Sequence, residues 1–122
     1  MREIRDHKVN EVNDGLTIEA TDAPGHGGAC HRYECTWTRK DGTPGAAGVI
    51  FQNGTLREAG VNGVTHEALL AIVADRLRAF QAGQFACREN ALALTKIEEA
   101  MHWLHARTRA RVNRGVEGQH KV

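Results

Sequence analysis

The chain has 122 residues, 41% of them hydrophobic and 25% charged, with a formal net charge of +1. That is ordinary globular composition for one domain, and a chain this short exposes enough surface to make self-association a natural second source of buried apolar area. No run approaches the roughly 18 apolar residues of a membrane span, and the weak net charge argues against a long nucleic acid as partner.

The charge is uneven. Residues 1–100 carry 11 basic and 14 acidic groups, whereas residues 101–122 carry 5 basic and 1 acidic. A local basic excess suits a small anionic ligand. The three cysteines, Cys30, Cys35 and Cys87, are an odd number with no apolar signal stretch ahead of them, which leads us to expect reduced thiols and a cytoplasmic protein.

The first half reads as strands. Val9–Val12 and Leu16–Ala20 flank Asn13-Asp14-Gly15, and Asp-Gly supplies the positive φ angles of a tight hairpin turn. The glycine-rich stretch Asp22–Gly28 has no periodicity. It reads either as a mobile connection or as a phosphate cradle, though the lysine spacing of a P-loop is missing. Tyr33, Cys35 and Trp37 alternate with Arg32, Glu34, Thr36 and Thr38, the period of a half-buried strand. The run Lys40–Gly45 turns the chain, Ala47, Val49 and Phe51 alternate again, and Asn53-Gly54 is a second turn signal. A small antiparallel meander follows.

After Asn62-Gly63 the period becomes helical. Thr65 is an N-cap, Leu69, Ile72, Val73, Leu77 and Phe80 share a face, and Gly83 is placed to end the helix as a C-terminal cap. A second helix from near Ala86 to about Arg114, closed by Gly115, must run antiparallel to the first because the link is short. Its residues Cys87, Asn90, Leu94, Ile97, Met101, Leu104 and Thr108 keep heptad spacing, as either a plain core stripe or a seam that meets another copy. The fold class is therefore α+β: an N-terminal antiparallel β-meander (the β-rich part, 1–63) and a C-terminal antiparallel two-helix hairpin with its tail (64–122), together one domain.

Several residues offer chemistry. Asn90 interrupts the apolar seam, either to fix helix register or to present its amide to a purine edge or ribose hydroxyl; Phe80, across the bend, is either core or a stacking surface. Arg107, Arg109, Arg111 and Arg114 crowd the end of the second helix, as dipole-complementing charge or as phosphate ligands. Glu98, His102 and His105 share a face, but no further metal ligand joins them at usable spacing. Cys87 and His102 lie about 22 Å apart along one helix, there is no serine, and no hydrolase signature appears. We expect neither catalysis nor a cofactor.

Four segments carry a resemblance: Phe51–Gly54, Gly60–Thr65, Phe85–Ala93 with Ile97–Leu104, and Arg114–Gly118. Through them the chain, from Gly48 onward, resembles the Thoeris anti-defence protein one family of phages, whose hairpin domain is shared with anti-CBASS protein two. The resemblance implies a sponge that holds glycocyclic ADP-ribose, and cyclic di- and trinucleotides, without cleaving them, as a homodimer or homohexamer in the host cytosol. It places Phe80, Asn90 and Arg107 in the ligand site, with Arg88 and Arg109 beside them. A second, trinucleotide site would use Arg114, Glu117 and His120. Asn90 and Arg107 are about 25 Å apart along one helix, too far for one small ligand, so two subunits must share each site. The competing readings are an oligomeric module that blocks a host protein, or a hydrolase of the nucleotide signal.

Overall fold

The computed structural model describes residues 1–113 and falls into two units, one of Met1–Gly54 with Ala59–Val64, the other of Thr55–Glu58 and the chain from Thr65 onward. The first unit is the meander: β1 (Arg2–Ile4), β2 (Thr17–Ala20), β3 (Arg32–Thr38) and β4 (Pro44–Ile50) pair antiparallel in chain order.

Its first strand is not the one expected. β1 pairs with β2 in the register Ile4↔Ile18, and residues 11–14 form a helical turn, α1 (Glu11–Asp14), instead of a strand end and hairpin. The Asn10 side chain accepts a hydrogen bond from the Asn13 amide at 3.0 Å, and this N-cap outcompetes the Asp-Gly turn. Gly15 accordingly has φ −78° and makes no use of its conformational freedom.

The alternation anticipated in β3 is realised. Ala20, Tyr33 and Val49 form one rung of the apolar face, Ile18, Cys35 and Ala47 the next. Trp37 lies across Gly45, where a Cβ would sit 2.7 Å from its Cζ2, so only glycine admits the indole there. On the opposite face Glu3, Glu19 and Glu34 stand directly across from one another on three strands, a costly row of like charge that Arg5 relieves at one end by pairing with Glu3 at 3.0 Å.

The glycine-rich connection is filled by its own carboxylate. Both Asp22 oxygens accept from the His31 amide, at 3.1 and 3.0 Å, and one also accepts from Arg32 N at 3.1 Å. Within the stretch itself Gly25 N donates to Ala29 O at 2.8 Å and Gly28 N to Gly25 O at 2.9 Å, so these two amides are turned to the chain's own carbonyls, which weighs against a phosphate cradle. The bonds to Asp22, that from His31 first, hold its carboxyl below its ordinary value of 3.8. A carboxyl depressed on folding stabilises the fold fully above its unfolded pKa, and that contribution disappears as pH falls through the lower folded value. An Asp22→Asn variant should therefore melt below the parent at pH 7, with the gap closing below about pH 3.8. Thermal melts from pH 7 to 2 check this; a constant gap across the range contradicts it.

The segment from Phe51 to Val64 is tied by side-chain amides. Gln52 donates to the Gly60 carbonyl at 2.7 Å and accepts from Asn62 N at 2.9 Å, while Asn62 exchanges two bonds with the Asn53 backbone at 2.8 and 2.7 Å. Phe51 bridges Val64 in parallel. Gly54 takes φ +96°, as a turn glycine should. Gly63 does not adopt positive φ; it is needed because a Cβ would lie 2.5 Å from the Phe51 carbonyl oxygen and 2.7 Å from Gln52 N. Between these anchors lies the single turn α2 (Leu56–Ala59).

The second unit is the helical hairpin. Thr65 caps α3 (His66–Gln81) by accepting from Ala68 N at 3.1 Å, as read from the sequence. The helix ends through Ala82 in right-handed geometry, so Gly83 is not the left-handed cap anticipated. The partner helix α4 (Arg88–Asn113) has 26 residues against 16 in α3, which makes it about 15 Å longer. Arg78 and Glu98 pair across the hairpin at 3.0 Å, a half-exposed contact that contributes little but marks the register. Gly115 lies outside the described residues.

The face that α3 buries also differs from the expectation. Ala74 is 0% exposed, with Leu70, Leu77 and Gln81 half-buried on its side at spacings of four, three and four. Ile72 is 66% exposed and Val73 is exposed as well, so two of the five positions of the anticipated stripe are left to solvent, whereas Leu69, Leu77 and Phe80 are half-buried. Ala74 explains the choice, because its small side chain lets a neighbouring helix approach closely. On α4, Asn90, Leu94, Ile97, Met101, Leu104 and Thr108 are half-buried, whereas Cys87 is exposed and leaves the seam. Among the described residues no large side chain is fully buried, and none of the helices is long and apolar enough to cross a membrane.

Candidate functional site

The chemistry-bearing residues concentrate at the bend of the hairpin. Six residues, Ala82 to Cys87, link α3 to α4, and the last side chain of α3 closes the link. Gln81 accepts from Cys87 N at 3.0 Å and donates to Cys87 O at 3.1 Å, engaging both backbone polar groups of one residue. Cys87 then stands at the N-cap of α4, its Sγ accepting from Asn90 N at 3.4 Å. A turn from Gly83 to Ala86, closed by Ala86 N donating to Gly83 O at 3.3 Å, holds Phe85 between them.

This clasp presents an aromatic pair. Phe80, half-buried in the last turn of α3, has its ring centroid 5.8 Å from that of Phe85, with the planes tilted by 55°. Phe85 is 65% exposed. The Arg76 guanidinium sits 4.8 Å from the Phe80 centroid, within cation–π range. Asn90 and Arg88 occupy the first turn of α4, Asn90 half-buried and Arg88 exposed. The side-chain amide of Asn90 makes no hydrogen bond among the described residues. A half-buried amide in the first turn of α4 can both donate to and accept from a ligand edge.

The hairpin thus brings Phe80, Arg88 and Asn90 together at one end. It does not bring Arg107 or Arg109 to them: both are exposed at the other end of α4, and Asn90 and Arg107 stand about 25 Å apart along the helix. Arg111 departs from a solvated cation, being 8% exposed. Arg114, Glu117 and His120 lie outside the described residues. Among those described no three His, Cys, Asp or Glu side chains gather for a metal, and Glu98, one of the three weighed for that role, pairs with Arg78 instead.

Three members of the bend escaped the sequence reading. Arg76 carried a usable signal, because it stands four residues before Phe80 and so shares its face. Gln81 and Phe85 carried none, since a bridging amide and a loop aromatic obey no periodicity.

Comparison with known proteins covers this region. The family described as Acb2/Tad1, hairpin domain, matches residues 47–109. The chain is also similar to Thoeris anti-defense 1 of Bacillus phage SBSphiJ7, with 52% identity over 84 residues, 69% of this chain. The matched stretch spans 59% of that relative's length. β1 to β3 lie ahead of the matched family domain.

Proposed function

The chain belongs to the Acb2/Tad1 hairpin-domain family, and from that premise we propose that it is a phage anti-defence protein that sequesters a cyclic-nucleotide immune signal in the host cytosol. The preferred ligand class is glycocyclic ADP-ribose, with cyclic di- and trinucleotides as related ligands. The observation that carries this reading is the bend itself, where Phe80 supplies a ring face and Asn90 an unused amide on the two helix ends that a tight clasp holds together. Phe80 stacks the base, Asn90 reads a polar edge, Arg88 lies alongside, and Arg107 or Arg109 neutralises phosphate.

Because the arginine and the asparagine are about 25 Å apart on α4, the arginine comes from another copy of the chain. An antiparallel pairing of two α4 helices brings the bend of one hairpin to the basic end of the other and makes two equivalent sites per dimer. A homodimer, or a homohexamer built from such pairs, is supported by the exposed flank of α3 at Ile72 and Val73 and by the 65% exposure of Trp103 on α4. A second site for cyclic trinucleotides on Arg114, Glu117 and His120 belongs to the same proposal.

The test is a capture and release experiment. The protein is incubated with glycocyclic ADP-ribose or a cyclic dinucleotide, freed of excess ligand and heat-denatured, and the supernatant is analysed. Intact ligand at roughly one equivalent per site is the expected result. Linearised product would replace the sponge with a hydrolase. Nothing retained would replace it with a module that blocks a host protein directly.

A further inference from the structure

Arg76 lies where a ligand base would go. Its guanidinium is 4.8 Å from the centre of the Phe80 ring, and a base stacked between ring and guanidinium needs about twice the ~3.5 Å van der Waals spacing. The face of Phe80 that Arg76 covers is therefore closed to a base until the guanidinium moves. Movement is inexpensive: Arg76 is exposed and has no ion pair among the described residues, so only the cation–π contact, worth little at an exposed site, holds it. The neighbouring aromatic, Phe85, is largely in solvent, and its ring is tilted toward Phe80.

We infer that Arg76, Phe80 and Phe85 form a clamp for an anionic purine nucleotide, in which the guanidinium leaves the Phe80 ring as the base arrives and closes on a ligand phosphate. This rests on the nucleotide-binding reading above and adds to it a further cation, carried by the same helix as the stacking ring. The clamp selects for charge. A neutral nucleoside displaces the guanidinium without offering it a phosphate, whereas a nucleotide replaces the lost cation–π contact with a charge-assisted hydrogen bond. Phe85, whose ring centroid is 5.8 Å from that of Phe80, swings outward as its exposure allows and covers the side of the base that Phe80 leaves open.

The experiment compares glycocyclic ADP-ribose with adenosine on the parent protein and on Arg76→Met, Arg76→Lys and Phe85→Leu, at two salt concentrations. Arg76→Met keeps a flexible stem against Phe80 but removes the charge, and the exposed position leaves folding intact. It should weaken the anionic ligand about tenfold, leave adenosine no weaker and slightly tighter, since the cation–π contact it had to break is gone, and flatten the salt dependence of affinity. Arg76→Lys should fall between, because a point charge keeps the attraction and loses the planar fork. Phe85→Leu should weaken both ligands together. Unchanged or tighter binding of the anionic ligand by Arg76→Met, with its salt dependence intact, would overturn the clamp while leaving the sponge in place. Failure of the parent protein to retain the ligand would instead remove the sponge itself.

Discussion

Chains carrying Asn90→Ala and chains carrying Arg107→Ala, each defective alone, should recover ligand binding when they are mixed. Each substitution removes a hydrogen-bonding or charged contact to the ligand, worth about 1.5–3 kcal/mol where a charge is involved, so each pure variant should bind roughly 10- to 100-fold more weakly than the parent. Recovery comes from symmetry. In a mixed dimer one site receives both defects and the other receives neither, so after full exchange of equal amounts about one quarter of all sites are intact. Those sites should bind with the parent's affinity, which separates real complementation from a partial effect of either substitution. A site built within one hairpin predicts no recovery at all. If exchange is demonstrated with differently tagged chains and no high-affinity fraction appears, the shared site is wrong.

The largest effect on stability should come from Gly63→Ala. The added Cβ would press against the Phe51 carbonyl oxygen and Gln52 N, both backbone atoms and the second already donating to Val64 O, so no flexible side chain can yield. We expect a loss of about 2–4 kcal/mol and a fall in Tm on the order of 10 °C or more. Gly83→Ala is the internal control. There the Cβ meets only ordinary contacts, the closest 3.7 Å from the Ala79 carbonyl oxygen, and the backbone is not left-handed, so stability should be unchanged or slightly raised. Equal melting of the two variants would show that the tie between Phe51 and Val64 does not support the fold.

These two glycines also show what a sequence can and cannot disclose. Asn62-Gly63 carries the letters of a tight turn, but its glycine answers to the backbone of a residue twelve positions away, and close approach leaves no local trace. Asn13-Asp14-Gly15 fails differently: asparagine three residues earlier can cap a helix as readily as Asp-Gly can turn a hairpin, and the pattern cannot rank the two. The helices were legible because Thr65 and the three-four spacing of apolar residues point the same way. Even so, α3 carries two adjacent apolar stripes, and periodicity does not say which one meets α4. Asn90 was readable as a departure from its stripe, Phe80 as the aromatic that ends one, and both as matches to a family pattern. Arg76 and Phe85 become visible only once the bend is closed.

The unbroken length of α4 makes that helix a ruler. The separation between the asparagine and arginine ends of the proposed site is set by residue count along an uninterrupted helix, at about 1.5 Å and 100° per residue. A single insertion there would shift the arginine only slightly in distance but swing it to a different side, whereas seven residues would restore its bearing and move it about 10 Å too far. A site of the proposed kind would confine change: side chains elsewhere along α4 could vary, but the number of residues between Asn90 and Arg107 could not drift. Spacing, more than the identity of any one contact, would be the quantity that this protein has to keep.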